Sequence, residues 1–305
     1  MLQSTAVPAT AGSSASLDLV RLMPLMARTS GHPGISIGLI DGPVAINHAD
    51  LATENIQEVP GKLPSRCADA NNAACTHGTF VAGILLGRRG SAAPAICPGC
   101  KLLVRPIFAE SASDAEQTPS ATAEELAEAI VGIVDAGARV VNLSAALVAG
   151  ASHTDRPLQQ ALDHAVRRGV VVVAAAGNQS ALASSIITAH PWVIPVVAYD
   201  VRGRLMALSN LAASIGMRGL GALGEGVTSL STTAESLTLG GTSVATPFIA
   251  GAVSLLWSCF PDASAASIRF AVTGATLRRR TIAPPLLDAE SAYQSLALSK
   301  HSTSS

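Results

Sequence analysis

Short, nearly continuous apolar runs alternate along the chain with longer segments whose apolar positions recur every three or four residues. The runs lie at 35–40 (ISIGLI), 101–107, 139–143, 170–174 and 192–197, and their Val, Ile and Leu content is that of strands buried on both faces. Helical spacing marks 17–28, with Leu17, Val20, Leu22, Leu25 and Met26, and 76–86, with Phe80, Val81, Ile84 and Leu85 on one face. It recurs at 121–136, where Leu126, Ile130 and Ile133 turn inward, and at 157–168, 243–258, 261–275 and 287–298. Strand and helix in alternation predict an α/β fold of three layers, a mostly parallel central sheet with helices on both faces. The stretch 43–74, rich in Asn, Asp, Pro and Ala, reads as a loop.

Composition agrees with that architecture. In 305 residues, 49% are hydrophobic, 13% charged and 3% aromatic, so a sizeable core is possible and Ala, Val, Leu and Gly suit helices packed closely on a sheet. A net charge of −1 without a basic, aromatic-interleaved patch argues against nucleic acid, and Arg278-Arg279-Arg280 reads as a solvated helix end. No apolar run reaches the length that spans a bilayer, and residues 1–16 form a Ser/Thr/Ala-rich leader without the charged and apolar regions of an export signal. The expectation is a cytoplasmic protein that engages no membrane, with 1–16 and 300–305 disordered around one domain at 17–299.

Five cysteines leave several pairings open. Cys259 reads as a small core residue. Cys67, Cys75, Cys97 and Cys100 could be two disulfides, a structural zinc site built around the Cys97-x2-Cys100 pair, or free thiols. Cys67 and Cys75 bracket a loop just before His77, so a disulfide there would fix the approach of that residue.

The candidate chemistry sits at element ends. A sharp Gly-rich turn at 239–241 sets Ser243 at the start of an apolar helix, where its hydroxyl is exposed and the helix dipole faces developing negative charge, although Gly-Thr-Ser is also an ordinary loop with a cap. Asp41 follows a buried strand at the end where open α/β sheets build their sites, and its plain alternative is a turn before Gly42-Pro43. His77 opens a helix, where the dipole would favour a neutral imidazole able to act as a base. Asn178 follows a strand that ends at Gly177 and offers a side-chain amide, or is simply a turn residue. A hydroxyl, an imidazole to take its proton and a carboxylate to orient the imidazole are what nucleophilic acyl transfer requires.

Four blocks, Ile40-Asp41-Gly42, His77-Gly78-Thr79, Ala175-Ala176-Gly177-Asn178 and Gly241-Thr242-Ser243-Val244-Ala245-Thr246-Pro247, resemble in order and spacing the signatures of subtilisin-like serine proteases. The resemblance covers about 35–275 and implies a subtilisin-like fold, with Asp41 as orienting acid, His77 as general base then acid, and Ser243 as nucleophile. It further implies an oxyanion hole formed by Asn178 and the Ser243 backbone N–H. Within the family, Asp41-Gly42-Pro43-Val44, the segment 93–108 (APAICPGCKLLVRPIF) and 197–204 (VAYDVRGR) followed by Leu208-Ser209-Asn210 look most like the proteases that mature cyanobactins, ribosomally made and modified peptides. That likeness implies a serine endopeptidase acting on a precursor peptide, bound as an extended strand along Ser144, Ala145 and Gly177. A peptide macrocyclase and an inactive subtilase-like binding module are the alternatives.

The chain departs from the family pattern in places. Ala145-Ala146-Leu147 replaces a Gly-rich edge and would narrow the side-chain pockets, Ala222-Leu223-Gly224 stands where Ala-Pro-Gly is common, and Val244 where Met is frequent. The loop 87–95, where secreted relatives bind calcium, has no carboxylate or Asn, so neither a metal nor another cofactor is expected. Cyclising relatives carry a helical insertion between acid and base, whereas here those residues are 36 apart and the interval holds the Pro60 to Pro64 turn and the two cysteines. Water as the acyl acceptor is the expectation. Nothing in the sequence speaks to oligomeric state.

Overall fold

The computed structural model describes residues 12–110, 121–144, 156–274 and 281–302. The expectations for Ala145-Ala146-Leu147, for Arg278-Arg279-Arg280 and for most of the leader and tail fall outside these residues. The chain starts with helices α1 (Gly12–Leu19) and α2 (Met23–Arg28), followed by strand β1 (Ser36–Asp41), the short strand β2 (Ile56–Glu58), helix α3 (Ala73–Leu86) and strand β3 (Lys101–Pro106). Next come α4 (Ala123–Asp135), β4 (Val140–Leu143), α5 (Arg156–Arg167), β5 (Val171–Ala175), α6 (Ile186–Ala189), β6 (Ile194–Tyr199), α7 (Ala213–Arg218) and β7 (Leu220–Leu223). A hairpin of β8 (Val227–Leu230) and β9 (Ser236–Leu239) leads into α8 (Thr242–Cys259), α9 (Ala265–Thr273) and α10 (Ala289–Ser302).

Seven strands form one sheet in the order β2-β3-β1-β4-β5-β6-β7, and every pairing in it is parallel. Alternate side chains feed two cores. Ile37 and Leu39 of β1 and Val171 and Val173 of β5 join the core that holds α3 and α8, whereas Ile40, Val172 and Ala174 join the one beneath α4 and α5. Burial on both faces is why these strands lack a polar alternation. The chain leaves β1 toward β3 on one side and continues from β4 toward β7 on the other, so the direction of winding reverses between β1 and β4. Open α/β sheets build their sites at the carboxyl ends of the strands beside such a reversal.

Four details differ from the sequence expectation. The helix expected at 17–28 is two helices, because Arg21 adopts φ 51 between them, yet Leu17, Val20, Leu22, Leu25 and Met26 are all buried as the periodicity requires. Helix α3 starts at Ala73, capped by the Asn72 side chain accepting from the Ala74 N–H, so His77 sits a full turn inside the helix. The interval read as a loop contains β2 at the sheet edge. Finally, α8 is by length and composition apolar enough to cross a bilayer, with mean hydropathy 1.4, but 83% of that window is buried inside the domain against β4 to β7.

Candidate active site

Asp41 is the last residue of β1, and its side chain is fully buried. Its Oδ1 accepts from the Gly42 N–H at 2.7 Å and meets His77 Nδ1 at 2.7 Å. Among the described residues Oδ2 has no protein hydrogen-bond partner, so Oδ1 carries both contacts of the carboxylate. Helix α3 can deliver His77 to this carboxylate because the next residue lacks a side chain: a Cβ at Gly78 would stand 2.4 Å from the Pro43 carbonyl oxygen. Two further ties hold the helix to the loop it faces, a hydrogen bond from the Ala45 N–H to Thr79 Oγ1 at 2.9 Å and a disulfide between Cys67 and Cys75.

His77 Nε2 lies 3.0 Å from Ser243 Oγ. Ser243 is the second residue of α8, where a backbone N–H has no acceptor within its own helix. The turn before it depends on Gly241, whose φ of 129 is open to glycine, and any Cβ there would press on Asn178 Nδ2 at 3.0 Å. The Asn178 amide is oriented by its oxygen, since Oδ1 accepts from both the N–H and the hydroxyl of Thr242 at 2.9 Å. The exposed Nδ2 end therefore remains a donor without a protein acceptor among the described residues. Thr242 Oγ1 also accepts from the Gly177 N–H at 3.2 Å, which ties the turn after β5 to the start of α8. Sequence reasoning missed Thr242, although the Thr beside the candidate nucleophile was a visible signal.

Charge in the site runs opposite to the expectation for a helix-opening histidine. Burial is the largest influence on His77 and disfavours its charged form, but the charge of Asp41 and the hydrogen bond to it together outweigh burial and raise the pKa above the ordinary value. His77 lies past the first turn, so the dipole effect invoked from sequence is weak there, and the carboxylate governs. An imidazole between a buried carboxylate and a hydroxyl can accept the hydroxyl proton and hold the resulting positive charge.

The cysteines resolve into the disulfide expected before His77 and three free thiols. Cys67 and Cys75 are bonded, whereas Cys97 and Cys100 are free and buried and Cys259 is free and half-buried. Among the described residues the one group of three metal-binding side chains is Cys67, Cys75 and Glu110. Its sulfurs are joined to each other and the Glu110 carboxylate accepts from the Ala68 and Asp69 N–H groups, so it closes the loop before α3 instead of offering ligands. Among the described residues no third ligand accompanies Cys97 and Cys100, which does not fit a structural zinc site. Of the expected peptide-binding residues, Ser144 follows β4 and Gly177 follows β5 at the same end of the sheet, while Ala145 is outside the described residues.

The family model described as "Subtilase family" matches residues 32–290. Among curated proteins, the chain is 32% identical over 236 residues to the thermophilic serine proteinase of Bacillus sp. (strain AK1), covering 75% of this chain and 54% of that protein. It is 28% identical over 261 residues to subtilisin DY of Bacillus licheniformis, covering 83% of this chain and 87% of that protein. The chain thus spans about half the length of the first relative and most of the second. Among solved structures, a mutant of the protease domain of PatA superposes with a TM-score of 0.79 at 28% identity, covering 88% of this chain and 97% of that one. The prenylagaramide maturation protease PagA superposes with 0.78 at 25% identity, covering 90% and 98%. A third, the PatG macrocyclase in complex with peptide, gives 0.77 at 21% identity over 90% and 95%, a likeness of fold.

Proposed function

Because this chain belongs to the subtilase family, we propose that it is a serine endopeptidase that forms an acyl-enzyme on Ser243 and processes a ribosomally made precursor peptide. The observation that carries the reading is the position of His77, with one ring nitrogen 2.7 Å from buried Asp41 and the other 3.0 Å from the Ser243 hydroxyl. His77 Nε2 takes the Ser243 proton as Oγ attacks the scissile carbonyl, and Asp41 holds the tautomer and the imidazolium that forms. The Ser243 N–H and Asn178 Nδ2 donate to the oxyanion. His77 then gives its proton to the departing amine, and water repeats the sequence to release the acid. The peptide lies extended along Ser144, Ala145 and Gly177, adding a strand there.

Similarity to the protease domain of PatA and to the PagA maturation protease, each over nearly all of the solved chain, supports a precursor peptide as the substrate. A ribosomal product processed before export meets its enzyme in the cytoplasm, where the Cys67–Cys75 bond has to persist against a reducing thiol pool. An inactive binding module has no use for a hydroxyl, an imidazole and a buried carboxylate in one hydrogen-bonded line.

Hydrolysis is favoured over cyclisation by the segment between acid and base. From Gly42 to Asn72 the chain holds a three-residue helical turn, Thr53–Asn55, and the strand β2, and no other helix. Nothing in that interval forms a helical lid over the acyl-enzyme, so water competes with any tethered amine. With a precursor carrying a free N-terminus, mass analysis should show linear products. A dominant product lighter than the linear core by one water would replace the protease reading with the macrocyclase.

Asn178→Ala should lower kcat by about 10² to 10³ with KM nearly unchanged, because a donor aimed at the oxyanion acts on the transition state. The Oδ1 contacts with Thr242 are lost in the same variant, so thermal melting is followed alongside. A change confined to KM would make Asn178 a substrate-binding or turn residue.

A further inference from the structure

We propose that the Ser144 hydroxyl is a positioning group for Ser243, holding the carbonyl that Pro247 leaves without a helical partner. The inference rests on the reading of Ser243 as nucleophile. In an α-helix the carbonyl of residue i accepts from the N–H of residue i+4, and four residues after Ser243 stands Pro247, inside α8, with no N–H to give. Ser144 Oγ donates to this carbonyl at 3.3 Å. Asn142 Nδ2 in turn donates to Ser144 Oγ at 2.7 Å, which occupies an acceptor site of the hydroxyl and leaves its hydrogen for Ser243. Ser144 is buried, where an unpaired hydroxyl is costly.

Ser243 is thereby held from both sides. The residue before it, Thr242, is fixed by Asn178 beyond the end of β5, and its own carbonyl is fixed by Ser144 at the end of β4. Residue 40 pairs with 143 across β1 and β4, so one step further along Ser144 stands beside Asp41 at the switch point. Neighbouring strands carry the acid and the clamp on the nucleophile. Without the clamp the first turn of α8 can rotate about Ser243, and Oγ departs from the 3.0 Å approach to His77. The Ser144 side chain is turned into the protein, which leaves its backbone for the extended peptide expected along this edge.

A double-mutant cycle tests this. Pro247→Ala restores an N–H at the position from which the Ser243 carbonyl is normally served. Ser144→Ala and the volume-conserving Ser144→Cys, a weak donor, are each made in the parent and in the Pro247→Ala background, with Ser144→Thr as the variant that keeps a hydroxyl. In the parent, Ser144→Ala and Ser144→Cys should lower kcat about tenfold with KM within about twofold, the loss of one buried hydrogen bond acting on geometry. Ser144→Thr should recover most of kcat, and in the Pro247→Ala background the cost of losing the hydroxyl should shrink severalfold. Equal losses in both backgrounds, or a loss in KM alone, would overturn the proposal. Fluorophosphonate labelling separates the two readings: if the parent enzyme fails to label at Ser243, the nucleophile assignment has failed and the clamp falls with it, whereas a labelled parent with an uncoupled cycle refutes the clamp alone.

Discussion

Ser243→Ala should lower kcat for peptide hydrolysis by about 10⁵ to 10⁶ and leave the fold intact. The size follows from the linkage of the three groups: once the hydroxyl is gone, His77 has no proton to take at 3.0 Å and the orientation supplied by Asp41 serves nothing. Residual turnover would come from peptide binding and oxyanion donors, which remain. The change removes one oxygen beside a half-open imidazole, so thermal stability should move by no more than about 0.5 kcal/mol. Circular dichroism, melting temperature and hydrolysis of the same preparation make the measurement, and a variant that keeps wild-type turnover would remove Ser243 from the chemistry.

Asp41→Asn should cost about 10⁴ in kcat, because an amide can present the wrong partner to His77 Nδ1 and carries no charge to stabilise the imidazolium. The pH profile gives a second, independent reading. The base works in its neutral form, so kcat/KM falls as pH drops through the His77 pKa. In the parent, burial lowers this pKa and the charge of Asp41 and its hydrogen bond raise it, with a net upward shift. Removing the charge leaves burial in command, so the acid limb of the residual activity should move to lower pH. A loss of less than about tenfold together with an unmoved limb would assign Asp41 to the turn before Gly42-Pro43 instead.

The strands that carry the site were legible because burial on both faces writes them as unbroken apolar runs, and the central strands β1 and β3 to β6 all fall on those runs. The edge was not. Strand β2 is three residues of half-buried or exposed Ile56, Gln57 and Glu58, β7 is interrupted by Gly221, and β9 places partly exposed Leu237 and Leu239 between polar neighbours. The depth of His77 in its helix is signalled by Asn72, which caps the helix ahead of Ala73, whereas the apolar run that marks the helix begins later. The Cys67–Cys75 bond was visible in the short loop the two residues bracket before His77, whereas the state of Cys97 and Cys100 could not follow from spacing, since a disulfide, a zinc site and free thiols all satisfy it. Least legible were the hydroxyls of Thr242 and Ser144, whose partners lie 64 and 99 residues away and are chosen by the packing of α8 on the sheet.

The parallel order of the sheet also governs when a catalytic centre can exist. Parallel neighbours need crossover connections, and contacts between residues far apart in the chain form slowly. His77 and Ser243 meet across 166 residues, with β3 to β7 and the hairpin lying between them in sequence. A nascent chain that stops short of α8 already carries Asp41, His77 and Asn178, the proposed acid, base and amide, yet it lacks Ser243, the proposed nucleophile. On the reading of Ser243 as nucleophile, bond-cleaving capacity therefore arises only once residue 243 has been made and α8 packs on the sheet, and shorter lengths of the chain carry none.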